Sequence, residues 1–180
     1  MNIFYLSTDP KECAKWHNDK HVVKMIIEYA QLMSTAHRML DGELWYDKTS
    51  NGRRIARWKH PIKDMDDGLM KASHVNHPSA VWVRQSYNNY MWLYYLWREL
   101  LKEYTYRYGK HHACEKYAVF LQDFPKNIPA EDKTQPPPAM KAFPECIVPH
   151  DSITSYRNYY MVAKRNFNNW SKREVPHWYE

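Results

Sequence analysis

The sequence predicts an all-α fold: a compact single-domain helical bundle with a long central helix and a proline-rich strap before the last helix. Three observations predict it. Apolar residues recur at helical spacing along most of the chain, and a period-two pattern is confined to a possible short strand at Asn2 to Leu6. Only four of 180 residues are glycine, so turn-rich β architectures are poorly supplied with their usual turn residue. Helix start and stop signals bracket the periodic segments.

The first helix has Asp9 as N-cap, Pro10 at the first helical position and Glu12 three residues after the cap. It is expected to reach about Arg38, with a break at His17 to Asp19, and Asp41-Gly42 closes it. At 100° per residue, Val22, Met25, Ile26, Tyr29, Leu32, Met33 and Ala36 share one side, and His17, Lys20, His21, Lys24, Glu28, Gln31 and Thr35 the other. Leu44 to Pro61 reads as a basic loop with a turn at Asn51-Gly52, followed by a short helix from Ile62 to Ala72. HVNHPS leads into the longest helix, Ala80 to Tyr108. Its aromatics surround the axis, which calls for a central position, and Gly109 stops it. Another helix is expected over His111 to Gln122. Residues 123–150 hold most of the prolines, Pro136-Pro137-Pro138 among them, and read as an extended strap without regular structure. The last helix starts at the Asp151 cap and runs to about Trp170, ahead of an aromatic tail. The chain thus divides into a core (1–122), a strap (123–150) and a C-terminal helix with its tail (151–180).

Composition narrows the function classes. No apolar run approaches the ~20 residues of a membrane span. MNIFYLSTDPKE lacks the basic and then apolar order of a secretory signal. Three scattered cysteines suit a reducing compartment, so a soluble cytoplasmic monomer is expected. A formal charge of +6 favours a polyanionic partner. Fifteen Tyr and eight Trp, many beside Lys, Arg, Asn or His, suit base stacking next to phosphate contacts.

The polar side of the first helix carries the main chemical signal. Cys13, His17, His21, Lys24 and Glu28 are spaced by three or four and form one stripe. Read blandly, the stripe is solvated and Lys24–Glu28 is an ordinary i, i+4 pair. Read chemically, Lys24 among cations supplies a nucleophilic amine, Glu28 a carboxylate, and His17 and His21 proton transfer or phosphate contacts. The alternative is a zinc site at Cys13, His17 and His21, with His111, His112 or Cys114 as a further ligand. Arg53, Arg54, Arg57 and Lys59, with Trp58 among them, form the basic segment suited to a nucleic-acid backbone. His77 and Arg84 sit where a helix start would accept a phosphate, and Lys110 extends the basic set.

MNIFYL with Pro10-Lys11, VVKMIIEYAQLM, NHPSAVWVR and YMWLYYLWRELLKEYTYRYGK together resemble, in order and placement, the pyrimidine dimer DNA glycosylases of endonuclease V type from phages and bacteria. The resemblance covers roughly the first 110 residues. It implies an all-helical enzyme without a cofactor that binds double-stranded DNA in a basic groove and flips a nucleotide out. It also implies attack on the sugar by the N-terminal amine, assisted by a glutamate. Carried over, the amine is that of Met1. The position matching the glutamate holds Lys24, with Glu28 one turn on, and Asn2 leaves Met1 in place where the phage enzyme exposes a small residue. The expectation is a glycosylase/AP lyase acting on damaged or modified pyrimidines in DNA. The alternatives are a non-catalytic nucleic-acid-binding protein and a zinc hydrolase.

Overall fold

The computed structural model describes residues 1–180. Helices dominate: α1 (Pro10–Trp16), α2 (Asp19–Asp41), α3 (Lys63–Gly68), α4 (Pro78–Gln85), α5 (Tyr87–Tyr108), α6 (Ala118–Leu121) and α7 (Ser152–Ala163). The all-α expectation is nevertheless overturned. Strands β1 (Glu43–Lys48) and β2 (Arg54–Lys59) form an antiparallel hairpin in register from Glu43↔Lys59 to Lys48↔Arg54. Leu44 to Pro61 is therefore a ribbon rather than a loop. Asn51-Gly52 lies in its turn, with Gly52 at φ +80° and its N–H bonded to the Thr49 carbonyl. The alternation was invisible because neither face of the ribbon is fully buried, so apolar and polar residues are mixed on both.

Asp9 caps α1 by accepting from the Lys11 N–H, and Asn18 caps α2 by accepting from the His21 N–H. His17 and Asn18 have extended backbone, so the first helical stretch is two helices. The long helix expected from Ala80 is also broken. Ser86 is extended, ends α4 and caps α5 through Oγ and the Asn88 N–H. α5 is the central element and packs on α1, α2 and α4. It buries Tyr90, Trp92, Leu93, Leu96, Trp97 and Leu100, each contributing about 1.5–3 kcal/mol of apolar burial. Trp97 Nε1 donates to the Ile26 carbonyl (2.9 Å) and fixes α5 against α2. Residues 123–150 contain no helix or strand beyond one 3₁₀ turn at Pro144–Cys146. They meet the amino-terminal segment through Lys133 Nζ and Tyr5 Oη, and α7 where Ala139 N–H donates to Tyr156 Oη and Tyr156 O–H to the Pro137 carbonyl. No helix is long and apolar enough to cross a membrane.

Two buried ion networks close the ends. Arg38 spends all five donors: Nε on Met70 O, Nη1 on Trp58 O and Asp66 Oδ1, Nη2 on Asp66 O and Leu69 O. The hairpin base is thereby tied to α3. At the other end Arg107 joins Glu103, Asp19 and the Lys15 carbonyl, and Arg173 makes a two-pronged contact with Glu103.

Candidate functional site

The amino-terminal segment is buried from Ile3 to Leu6 and turns at Tyr5, where the Leu6 N–H donates to the Phe4 carbonyl (3.1 Å). The Phe4 N–H donates to Tyr29 Oη (3.0 Å), the Cys13 thiol donates to the Phe4 carbonyl (3.2 Å), and Lys133 Nζ donates to Tyr5 Oη (2.9 Å). Met1, half-buried, packs against the core at the end of this anchored segment.

Charges from Met1 and from three other parts of the chain act on His77. His77 is the N-cap of α4, its Nδ1 accepting from the Ser79 N–H, so a neutral ring carries its proton on Nε2. Burial lowers the His77 pKa; the Met1 amino group, His74 and Lys141 push it further down, while Glu28 opposes them. The amine, the carboxylate of α2, this imidazole and a lysine of the strap therefore share one electrostatic neighbourhood. Glu28 pairs with Lys24 at 3.3 Å; the lysine side chain is 69% exposed and the glutamate 18%. Lys24 thus points to solvent, and Glu28 is the more buried partner of the pair.

His17, His21 and Cys13 do not lie on a wet stripe, which corrects the polar-face reading. All three are buried. The surface expected to be solvent is covered by Phe4 and by Tyr160 of α7, which no local pattern announces. His17 Nδ1 lies 2.8 Å from the Cys13 carbonyl and so carries the proton, and Nε2 accepts from the Tyr29 hydroxyl (3.1 Å). His21 stacks on Phe4 (4.0 Å) and its Nδ1 lies 2.6 Å from Tyr160 Oη. Burial lowers the His17 pKa to about 4 and the His21 pKa to about 2. It pushes the Cys13 thiol up to about 12. With both His17 nitrogens hydrogen-bonded within the fold, this trio packs as part of the core.

The basic segment forms a cleft. Trp45, Asp47, Arg57, Lys59 and Lys71 line a cavity of about 340 Å³ under the hairpin. An adjoining depression of about 600 Å³ shares Arg57 and Lys71 and continues to His74 and to Gln31, one turn from Glu28 on α2. Arg53 is exposed at the hairpin turn, and Arg54 stacks over Tyr46 at 3.6 Å. Trp45 and Tyr46 remain 46% and 53% exposed. Arg84 donates to the Val75 carbonyl (2.7 Å), so it braces the loop carrying His77. Lys110 lies beyond the C-terminal end of α5, about 33 Å of helix from the Ser86 end near Arg84, and does not join the cleft. Trp45, Asp47, Lys71 and Lys141 were not singled out from the sequence. An exposed Trp-Tyr pair opposite an Asn-Gly turn was the available signal for the first; nothing local marks Lys141.

No protein-family model matches the chain, and neither a curated protein nor a solved structure matches it.

Proposed function

We propose that the chain is a DNA-acting enzyme of base-excision type, a glycosylase/AP lyase on damaged or modified pyrimidines, with the Met1 amine as nucleophile and Glu28 as its carboxylate. One observation carries this reading: the charges of the Met1 amino group and of Glu28 both act on His77, and the basic cleft reaches His74 and Gln31, which lie within three residues of His77 and Glu28 in the chain. In the step, the amine lone pair bonds to C1′ of a flipped nucleotide as the N-glycosidic bond breaks and the base leaves with its electron pair. Sugar opening and loss of the amine proton give a Schiff base. Loss of a 2′ proton then expels the 3′ phosphate. Glu28 stabilises the developing cation and carries protons. Lys24, ion-paired to Glu28, holds the carboxylate in place rather than attacking. His77 offers Nε2–H to a phosphate, and Arg53, Arg54, Arg57, Lys59 and Lys71 take the backbone.

Borohydride trapping on duplex DNA with a single abasic site tests this, with peptide mapping of the adduct. A covalent adduct on Met1 is expected, and Glu28→Gln slows strand cleavage by about 10²-fold or more. An uncut duplex without adduct contradicts the lyase. Steeply salt-dependent binding in that case leaves a non-catalytic nucleic-acid-binding protein.

A further inference from the structure

We infer that the C-terminal end of α2 carries a binding site for one divalent first-row transition-metal ion, of the zinc or cobalt type, held by His37 Nδ1, Asp41 and His60 Nε2. The reacting centre proposed above does not depend on it. The three ligand atoms lie within 4.8 Å of one another, and the His60 Nε2 to Asp41 Oδ2 distance is 3.9 Å. That is too long for a hydrogen bond and slightly wider than the spacing of about 3.3 Å around a tetrahedral ion with bonds of about 2.0–2.1 Å. The histidines are nearly sealed, with His37 at 2% and His60 at 3% exposure. His37 Nδ1 and His60 Nε2 are nevertheless buried polar atoms with no partner, a costly state that a ligand between them relieves.

The surroundings are built as an outer shell. His37 Nε2 lies 3.0 Å from the Asp123 carbonyl, which only accepts, so the proton sits on Nε2 and Nδ1 presents its lone pair. Tyr90 Oη, 2.9 Å from the same nitrogen, sends its own proton to the Leu121 carbonyl. Asp41 is oriented by the N–H groups of Lys126 (2.7 Å) and Asn127 (2.9 Å). A carbonyl behind the imidazole and amides behind the carboxylate are the arrangement that fixes metal ligands. His60 Nδ1 accepts from the Ile62 N–H at 3.2 Å. Ligation moves the His60 ring proton from Nε2 to Nδ1 and breaks that long contact. Ile62 is 60% exposed, so water takes its place. Two imidazoles and one carboxylate leave a fourth position for solvent, and nitrogen donors select transition ions over calcium or magnesium. The ion joins the end of α2, the hairpin exit and the start of the strap. One water donating to His37 and Asp41 is the rival occupant.

Cobalt(II) titration of the chelator-stripped full chain, read by visible d–d absorption and by thermal melting, decides between them. One equivalent of Co²⁺ per chain with four-coordinate bands is expected, with a rise in melting temperature on binding. His60→Ala and Asp41→Asn each weaken binding at least tenfold and abolish the thermal shift. A His111→Ala variant, altered at an exposed histidine, keeps both. A lack of stoichiometric binding, or binding that survives both site variants, overturns the site.

Discussion

Two histidine clusters flank the two ends of α2, both buried, yet their hydrogen-bond accounts differ. At the amino-terminal end each ring nitrogen of His17 has an assigned partner, and the chain of bonds runs from the Phe4 N–H through Tyr29 to His17 and on to the Cys13 carbonyl. At the other end His37 and His60 each leave one ring nitrogen facing Asp41 with nothing to bond. A saturated ring such as that of His17 stabilises the fold and has no lone pair left for a ligand. An unsaturated one has been kept at a cost to the fold, and binding is what offsets it.

The comparison predicts an order of effects. Replacing His17 by Ala strands the Tyr29 hydroxyl and the Cys13 carbonyl and opens a cavity, and denaturant titration should record a loss of about 4 kcal/mol. Acid should act at the same end. Both His17 and His21 have folded-state pKa values below the ordinary 6.5, at about 4 and about 2. The unfolded chain therefore binds protons first: stability is fully present above pH 6.5 and lost as pH falls, over 6.5 to 4 for His17. The His17 part amounts to about 3 kcal/mol, and His17→Gln should flatten that part of a pH–stability curve. Tyr29→Phe removes one hydroxyl from the saturated network and should cost about 1.5 kcal/mol by the same titration. His60→Ala, measured without metal, should cost only about 1 kcal/mol, because Nε2 has no partner and the Ile62 N–H that Nδ1 releases is open to water. A cost near that of His17→Ala would erase the distinction. Smallest is Arg54→Ala on the hairpin, which should leave stability unchanged and reduce the salt slope of DNA binding by about one.

Local chemistry was legible where local rules decide it. The Asp9-Pro10 start, the break before Asp19, the Gly109 stop in left-handed conformation and the Asp151 cap all follow from residues within a few positions. Long-range covering was not. His21 lies at the edge of the apolar side of α2, about 40° round the helix from Met25, and Tyr160 closes over it from 139 residues away. The hairpin escaped because its residues serve an open cleft rather than a core. Met1 and Glu28 were picked out through the family resemblance and the polar stripe, while their common neighbourhood with His77 and Lys141 emerges only in three dimensions. His37, Asp41 and His60 were overlooked because the 18 residues of the hairpin segment separate the i, i+4 pair from its third member.

Long-range ¹H–¹⁵N spectra of the imidazole rings, recorded before and after one equivalent of Zn²⁺, test the difference between the two clusters most directly. Without metal, His17 should show its proton on Nδ1, and His21, His37 and His60 theirs on Nε2. With Zn²⁺, the His37 and His60 signals should move and the His60 proton should appear on Nδ1, while His17 and His21 stay fixed. Shifts at His17 and His21, or none at His37 and His60, would contradict the assignment of one cluster to the fold and the other to a ligand.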